Sequence, residues 1–206
     1  MSSVSLQEAR SVLVRERVLE GVAELLAAGE ELTFAKVAGA AGVPERTVYR
    51  HFATREALLT AVFHWANRRI EFESDLPVDV EGASRLVRRV FPGFDEIAPV
   101  IRELLIAPEG LAARLSENDR RRGATIALVR NEAPGLDRAT TRRVAATVQL
   151  LTAAATWQTL RDYWDMDGKE AAETAALAIE LVVDAARARG AHPGPPVEPP
   201  SASTST

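Results

Sequence analysis

Residues Thr33–Phe52 read TFAKVAGAAGVPERTVYRHF, two short helical patterns on either side of a glycine turn. Thr33 opens the first, which runs to Ala41; Gly42-Val43 turns the chain, and Pro44 starts the second, which runs to Phe52. Phe34, Val37, Ala38, Val43, Val48 and Phe52 recur at spacings that pack the pair on each other and on a preceding helix. The small residues Ala38, Gly39, Ala41 and Gly42 allow close approach at the turn. Such a core fixes the angle between the helices and leaves the outer face of the second free for contact.

That outer face carries Arg46, Thr47, Arg50 and His51, with Tyr49, all donors or planar groups suited to phosphate oxygens and base edges. Thr33 through Arg55 holds four cations (Lys36, Arg46, Arg50, Arg55) against Glu45, a local charge of +3 on a chain of net charge −4, which leaves −7 for the remainder. A footprint of this kind draws a polyanion to one site and repels it elsewhere. A solvated helix face with no partner has the same charges, but the helix-turn-helix pattern around this one favours contact with nucleic acid.

Working outward, helix one is predicted over Leu13–Ala28, with Val18, Leu19, Val22, Leu25 and Leu26 on one stripe and Gly29 as its stop. The capping box Ser5-Leu6-Gln7-Glu8 allows a start as early as Leu6. Thr54 caps a longer helix to about Ser74. After a break at Leu76–Val80, helical patterns cover Glu81–Phe91, Asp95–Ala107, Glu109–Asn131, Asp137–Tyr163 and Lys169–Ala188. The third of these has a potential break near Ser116. Thirty-six alanines, 5% aromatic residues and no Asn-Gly or Asp-Gly turn between alternating segments agree with an all-α chain of about nine helices. The expected organisation is a three-helix unit over residues 1–54, a helical bundle over 55–189, and a Pro/Ser-rich disordered tail over 190–206.

Other classes fall away. A chain of 206 residues allows one large domain or two small ones. It contains no cysteine, which excludes disulfides and a Cys-rich metal site. Glu8 and Arg10 stand where a secretory signal would be apolar, and the longest uncharged stretch, Val144–Leu160, is broken by threonines and glutamines. No membrane association and a cytoplasmic location are therefore expected. The three histidines, His51, His64 and His192, fit no catalytic or metal-binding spacing, and no nucleotide-loop or nucleophile-elbow pattern occurs. Neither catalysis, a cofactor nor a metal is expected.

The run VRERVLEGVAELLAAG followed by LTFAKVAGAAGVPERTVYRHFATREALLTAV resembles the N-terminal DNA-binding domain of TetR-family transcriptional regulators, nearly continuously from about Val12 to Arg69. The resemblance implies that Pro44–Phe52 is a recognition helix in the major groove of a double-stranded operator. It assigns Thr33 and Lys36 to the phosphate backbone, Glu45, Arg46, Thr47 and Arg50 to groove-facing positions, Tyr49 and His51 to phosphates, and Arg55 to the lysine that opens helix four in relatives. Glu45 departs from the family's usual neutral or basic residue; it either accepts from a cytosine amine or points away.

The lower half is read from its own residues. In Lys169–Ala188 the charged residues Glu173, Glu180, Asp184 and Arg187 form a narrow strip. Ala172, Ala175, Ala176, Ile179, Val183 and Ala186 belong to an apolar arc wider than the ~100° that packing on one domain requires. With Asp137–Tyr163 it is expected to form a homodimer interface, as the family's last two long helices do. Phe63, Phe91, Phe94 and Trp157, with Thr152 and Thr156, suggest an apolar small-molecule cavity. The resemblance places such a cavity beneath the DNA-binding domain, with helix four as its roof. The expected function is a ligand-responsive DNA-binding regulator, a repressor released by a small, largely apolar effector. The alternative is a constitutive DNA-binding protein, or one regulated by a protein partner.

Overall fold

The computed structural model describes residues 6–72 and 76–191. Those residues form eleven helices and no strand: α1 (Leu6–Ala27), α2 (Phe34–Ala41), α3 (Glu45–His51), α4 (Arg55–Arg69), α5 (Val80–Glu96), α6 (Ala98–Ile106), α7 (Pro108–Ser116), α8 (Asn118–Glu132), α9 (Arg138–Leu151), α10 (Ala154–Trp164) and α11 (Gly168–Ala191). The capping-box residue Ser5 and all but the first two residues of the expected tail lie outside the described residues; Gly190 and Ala191 end α11.

The first three helices follow from local signals. Thr33 accepts from the Lys36 N–H at 3.3 Å and starts α2. Gly42 ends it at φ 61°, a left-handed cap that a side chain would strain, and its N–H reaches back to the Ala38 and Gly39 carbonyls. Val18, Leu19, Val22, Val37, Val48 and Phe52 are buried together between α1, α2 and α3. At Gly21 the helices come so close that a Cβ would lie 2.8 Å from the Ala41 nitrogen.

Three elements depart from the expected pattern, and a fourth shows the break raised near Ser116. The helix after Thr54 stops at Arg69, where Ile70 turns into the core and Glu71 takes φ 54°. Pro92 does not end α5, which continues to Glu96 and keeps Phe91 and Phe94 buried on one face. The break near Ser116 is real and separates α7 from α8. The span Asp137–Tyr163 is two helices, because Ala153 adopts an extended backbone (φ −84°, ψ 149°) before α10. These last two interruptions raise the expected nine helices to eleven.

Below the helix-turn-helix, α5 lies along α11, α8 along α9, and α4 along α7. One carboxylate ties three of these helices: Asp95 of α5 accepts from the Trp157 indole N–H at 2.9 Å and the Gly168 N–H at 2.5 Å, and pairs with Arg161. Asp95, expected to begin the next helix, instead lies near the end of α5 and is a bundle cross-link. Among the described residues no helix is long and apolar enough to cross a membrane.

Candidate nucleic-acid interface and effector cavity

Helix α3 has only seven residues, and its amphipathic geometry sorts them cleanly. Glu45, Arg46, Tyr49 and Arg50 are exposed, while Val48 is fully buried. Tyr49 is held in place by a parallel stack on Phe34, with ring centroids 4.5 Å apart and planes 6° from parallel. The phenol of Tyr49 therefore meets a partner from a fixed position. Thr47 and His51, one turn apart, stand on the shoulder towards the core. Thr47 is only 9% exposed, so it offers the edge of a methyl or hydroxyl rather than a reaching side chain.

The Nε2 atom of His51 is buried and finds no hydrogen-bond partner among the described residues. Burial, then the charges of Arg50 and Arg15, hold its pKa below the usual imidazole value. The ring is neutral near pH 7 and donates a hydrogen bond through one nitrogen at most. Below about pH 6.5 the unfolded chain protonates this histidine and the folded chain resists. Stability contributed by the neutral ring is thus present above that pH and is lost as pH falls towards the depressed folded value. His51→Gln is expected to flatten the decline in melting temperature between about pH 7 and 5; a decline as steep as wild type would place its origin elsewhere.

Of the other residues assigned to DNA, Thr33 caps α2, and exposed Lys36 pairs with Glu30 at 2.7 Å, which holds the lysine pKa up. That pair is solvent-exposed and weak, so a phosphate can displace it. Arg55 is placed differently. Its guanidinium donates to the Leu32 carbonyl at 2.7 Å and to Glu103 at 2.6 Å, and lies 3.5 Å from Glu109. All three of its nitrogens are thereby engaged with the loop before α2 and with α6 and α7, so it acts as a clasp between the two halves rather than as a free phosphate ligand.

A cavity of about 210 Å³ lies beneath α4, walled by Phe63, Ala66, Asn67 and Ile70 of that region, by Phe94, Ile101 and Leu104, and by Thr152–Ala155. Phe63, Phe94 and Thr152 are among its expected lining. Phe91 and Trp157 are not; both are fully buried in the bundle core, Trp157 by its bond to Asp95. Thr156 instead donates to the Leu150 carbonyl at the break between α9 and α10. Arg114 and Arg121 also line the cavity. Sequence gave no signal for them, since arginine at an irregular helix position reads as surface. Among the described residues no cluster of ligating side chains is placed to hold a metal.

The six α11 residues assigned to a dimer, Ala172, Ala175, Ala176, Ile179, Val183 and Ala186, are at most 4% exposed within one chain. That face is occupied by α5. On α9, α10 and α11 the exposed large apolar residues among those described are Leu150, Tyr163, Trp164, Leu177 and Leu181, of which Tyr163 is 83% exposed. The wide apolar arc was legible, but not which half of it faced inward.

Residues 22–62 match the family model described as bacterial regulatory proteins, tetR family. Over most of the chain the fold is similar to that of native NalD, the secondary repressor of the MexAB-OprM multidrug efflux pump in Pseudomonas aeruginosa. The identity is 17%, the TM-score 0.58, and the match covers 84% of this chain and 96% of NalD. It is also similar to the multidrug binding protein EbrR complexed with imidazole, at 18% identity and a TM-score of 0.51, covering 82% of this chain and 93% of EbrR. No curated relative matches the sequence. The family match falls on the helix-turn-helix built by α2 and α3 with the flanking turns of α1 and α4, a segment similar to the DNA-binding part of TetR-family regulators, and the fold of the chain as a whole is similar to those of NalD and EbrR.

Proposed function

We propose that the protein is a homodimeric repressor that leaves its operator when a small molecule enters the cavity beneath α4. The observation that carries this reading is the path of α4. Three residues separate it from the end of α3, and its later turns put Phe63, Ala66 and Asn67 in the cavity wall. A helix is stiff, so an occupant that displaces its lower turns also tilts its upper end and the recognition helix behind it. For release to follow, the occupant must favour the displaced arrangement, because equal affinity for both moves no population.

At the operator, Arg46 and Arg50 read or clamp the groove, with Tyr49, Lys36 and Thr33 on phosphates. Glu45 and the neutral His51 ring sit at the edge, and Thr47 adds a short contact. Two copies meet through the outer faces of α9, α10 and α11, where Leu150, Tyr163, Trp164, Leu177 and Leu181 are exposed. Their association sets the separation of the two α3 helices, which must match half-sites about one helical turn or a multiple apart. The multidrug association of NalD and EbrR fits a cavity with few polar groups.

Selection of bound duplexes from a random-sequence pool tests the reading. The expected result is a palindromic site of fixed spacing, bound by a dimer and released by at least one apolar ligand. Binding by a single subunit, or a bound complex insensitive to every ligand that raises the melting temperature, would overturn it. Leu177→Asp with Leu181→Asp is expected to yield monomers whose secondary structure is intact, checked by light scattering and circular dichroism.

A further inference from the structure

The cavity is mostly apolar: Asn67 and Thr152 are its neutral polar side chains, and Arg114 and Arg121 its charged ones. Arg114 of α7 and Arg121 of α8 line it among Phe63, Phe94, Ile101 and Leu104, and no carboxylate belongs to its wall. Arg114 Nη1 and Arg121 Nε are buried with no hydrogen-bond partner among the described residues. Arg121 donates from Nη2 to the Arg114 carbonyl at 3.2 Å, and its guanidinium lies 5.7 and 5.9 Å from the Phe63 and Phe72 rings. The acid that acts on Arg121 from a distance, Glu117, is itself paired with Arg120 at 3.2 Å. Burial pushes both guanidiniums below their usual range, and for Arg114 nothing offsets it. Arginine nonetheless stays protonated, so two positive charges remain partly desolvated with open N–H groups.

Buried charges in proteins are ordinarily paired, because an unpaired one forfeits its hydration. Here the unpaired edges face a cavity rather than another side chain. Arg121 and Phe72 also border an adjoining open cleft of about 390 Å³ that contains Arg122 and Asn118, which gives an anion a cationic route inward. Most of the remaining wall is hydrocarbon, with Asn67 and Thr152 as its neutral polar side chains. A cavity of about 150 Å³ holds a benzene ring, so this one takes a single ring, or a short alkyl chain, with a small head group.

We propose that the effector is an amphipathic carboxylate, its head group held between Arg114 and Arg121 and its single ring or short chain packed against Phe63, Phe94 and Leu104 under α4. This deepens, and rests on, the assignment of the cavity as an effector site. A forked guanidinium suits a carboxylate through paired N–H groups, and the anion supplies the charge that the cavity wall lacks.

Calorimetric titration of the full-length protein with matched probes tests it. Phenylacetate, phenylethanol and phenethylamine share one body, and octanoate, octanol and octylamine share another. The expected order is carboxylate over alcohol by at least about tenfold in affinity, the scale of a charge-assisted hydrogen bond, with no binding of the amines. Arg114→Gln and Arg121→Gln should each remove most of that preference and leave the alcohol's affinity unchanged. Arg114→Met should raise the melting temperature of the ligand-free protein while abolishing carboxylate selectivity, an outcome that a purely structural arginine would reverse. Where a glutamine variant fails to fold, Arg121→Lys keeps the charge without the fork and should show an intermediate preference.

Equal binding of alcohol or amine, binding by no carboxylate, or variants that weaken alcohol and carboxylate alike would overturn the proposal. A carboxylate that binds through both arginines without releasing operator DNA leaves the head-group assignment standing and removes the release mechanism. A neutral ligand that releases DNA when no carboxylate binds does the opposite.

Discussion

Replacing Arg46 and Arg50 together with alanine is expected to lower operator affinity by about a thousandfold at fixed salt. Each residue is exposed on α3, and the proposed dimer would present both twice, so four cationic contacts would be lost. A base-reading arginine is worth about 1–3 kcal/mol, and even the lower figure, counted four times, approaches 4 kcal/mol. The salt dependence is a second signature: the slope of log affinity against log salt should flatten by about one for every phosphate contact removed. Because neither side chain contributes to the core, the melting temperature and dimer mass should stay at wild-type values. Undiminished binding by the double variant would remove α3 as the reading surface.

The second large effect is on stability. Asp95→Ala is expected to destabilise the protein by about 3 kcal/mol. Truncation strands the indole N–H of a fully buried Trp157, leaves the Gly168 N–H at the start of α11 without its acceptor, and unpairs Arg161. The carboxylate is partly open to solvent, so the ion pair alone is worth little and the lost acceptors account for most of the effect. For a chain of this size the melting temperature should fall by about 6–12 °C. Asp95→Asn keeps one acceptor and should fall roughly half as far. If the alanine variant melted with the wild type, the cross-link between α5, α10 and α11 would be without energetic weight.

What the sequence discloses about this molecule follows the range of the interactions involved. The helix-turn-helix is contiguous: Thr33 as cap, Gly42 as left-handed stop and the apolar spacing from Phe34 to Phe52 are all signals within two turns of the residues they govern. Exposure of Arg46 and Arg50 follows from the same spacing. The lower bundle is different. Nothing at Thr152-Ala153 resembles a breaker, since neither glycine nor proline stands there, and α9 and α10 separate at a point that lies in the cavity wall. Pro92 does look like a breaker, yet the burial of Phe91 and Phe94 carries the helix through it. On α11 an arc of alanines and branched residues fits a core or a partner equally well, and only the position of α5 decides that Ile179 is inside and Leu181 outside. Arg114 and Arg121 were invisible for the same reason: whether an arginine is solvated depends on which helices close over it.

The clasp at Arg55 bears on how the proposed repressor would answer its surroundings. Leu32, Glu103 and Glu109 meet one guanidinium, so the upper unit is fastened to the lower by polar bonds as well as by the covalent run of α4. A displacement of α6 or α7 then has two parallel routes upward, one through peptide bonds and one through ions. Dissolved electrolyte softens the ionic route and leaves the peptide route untouched. On the proposed mechanism, the response to a ligand, and not merely the grip on DNA, therefore varies with ionic strength.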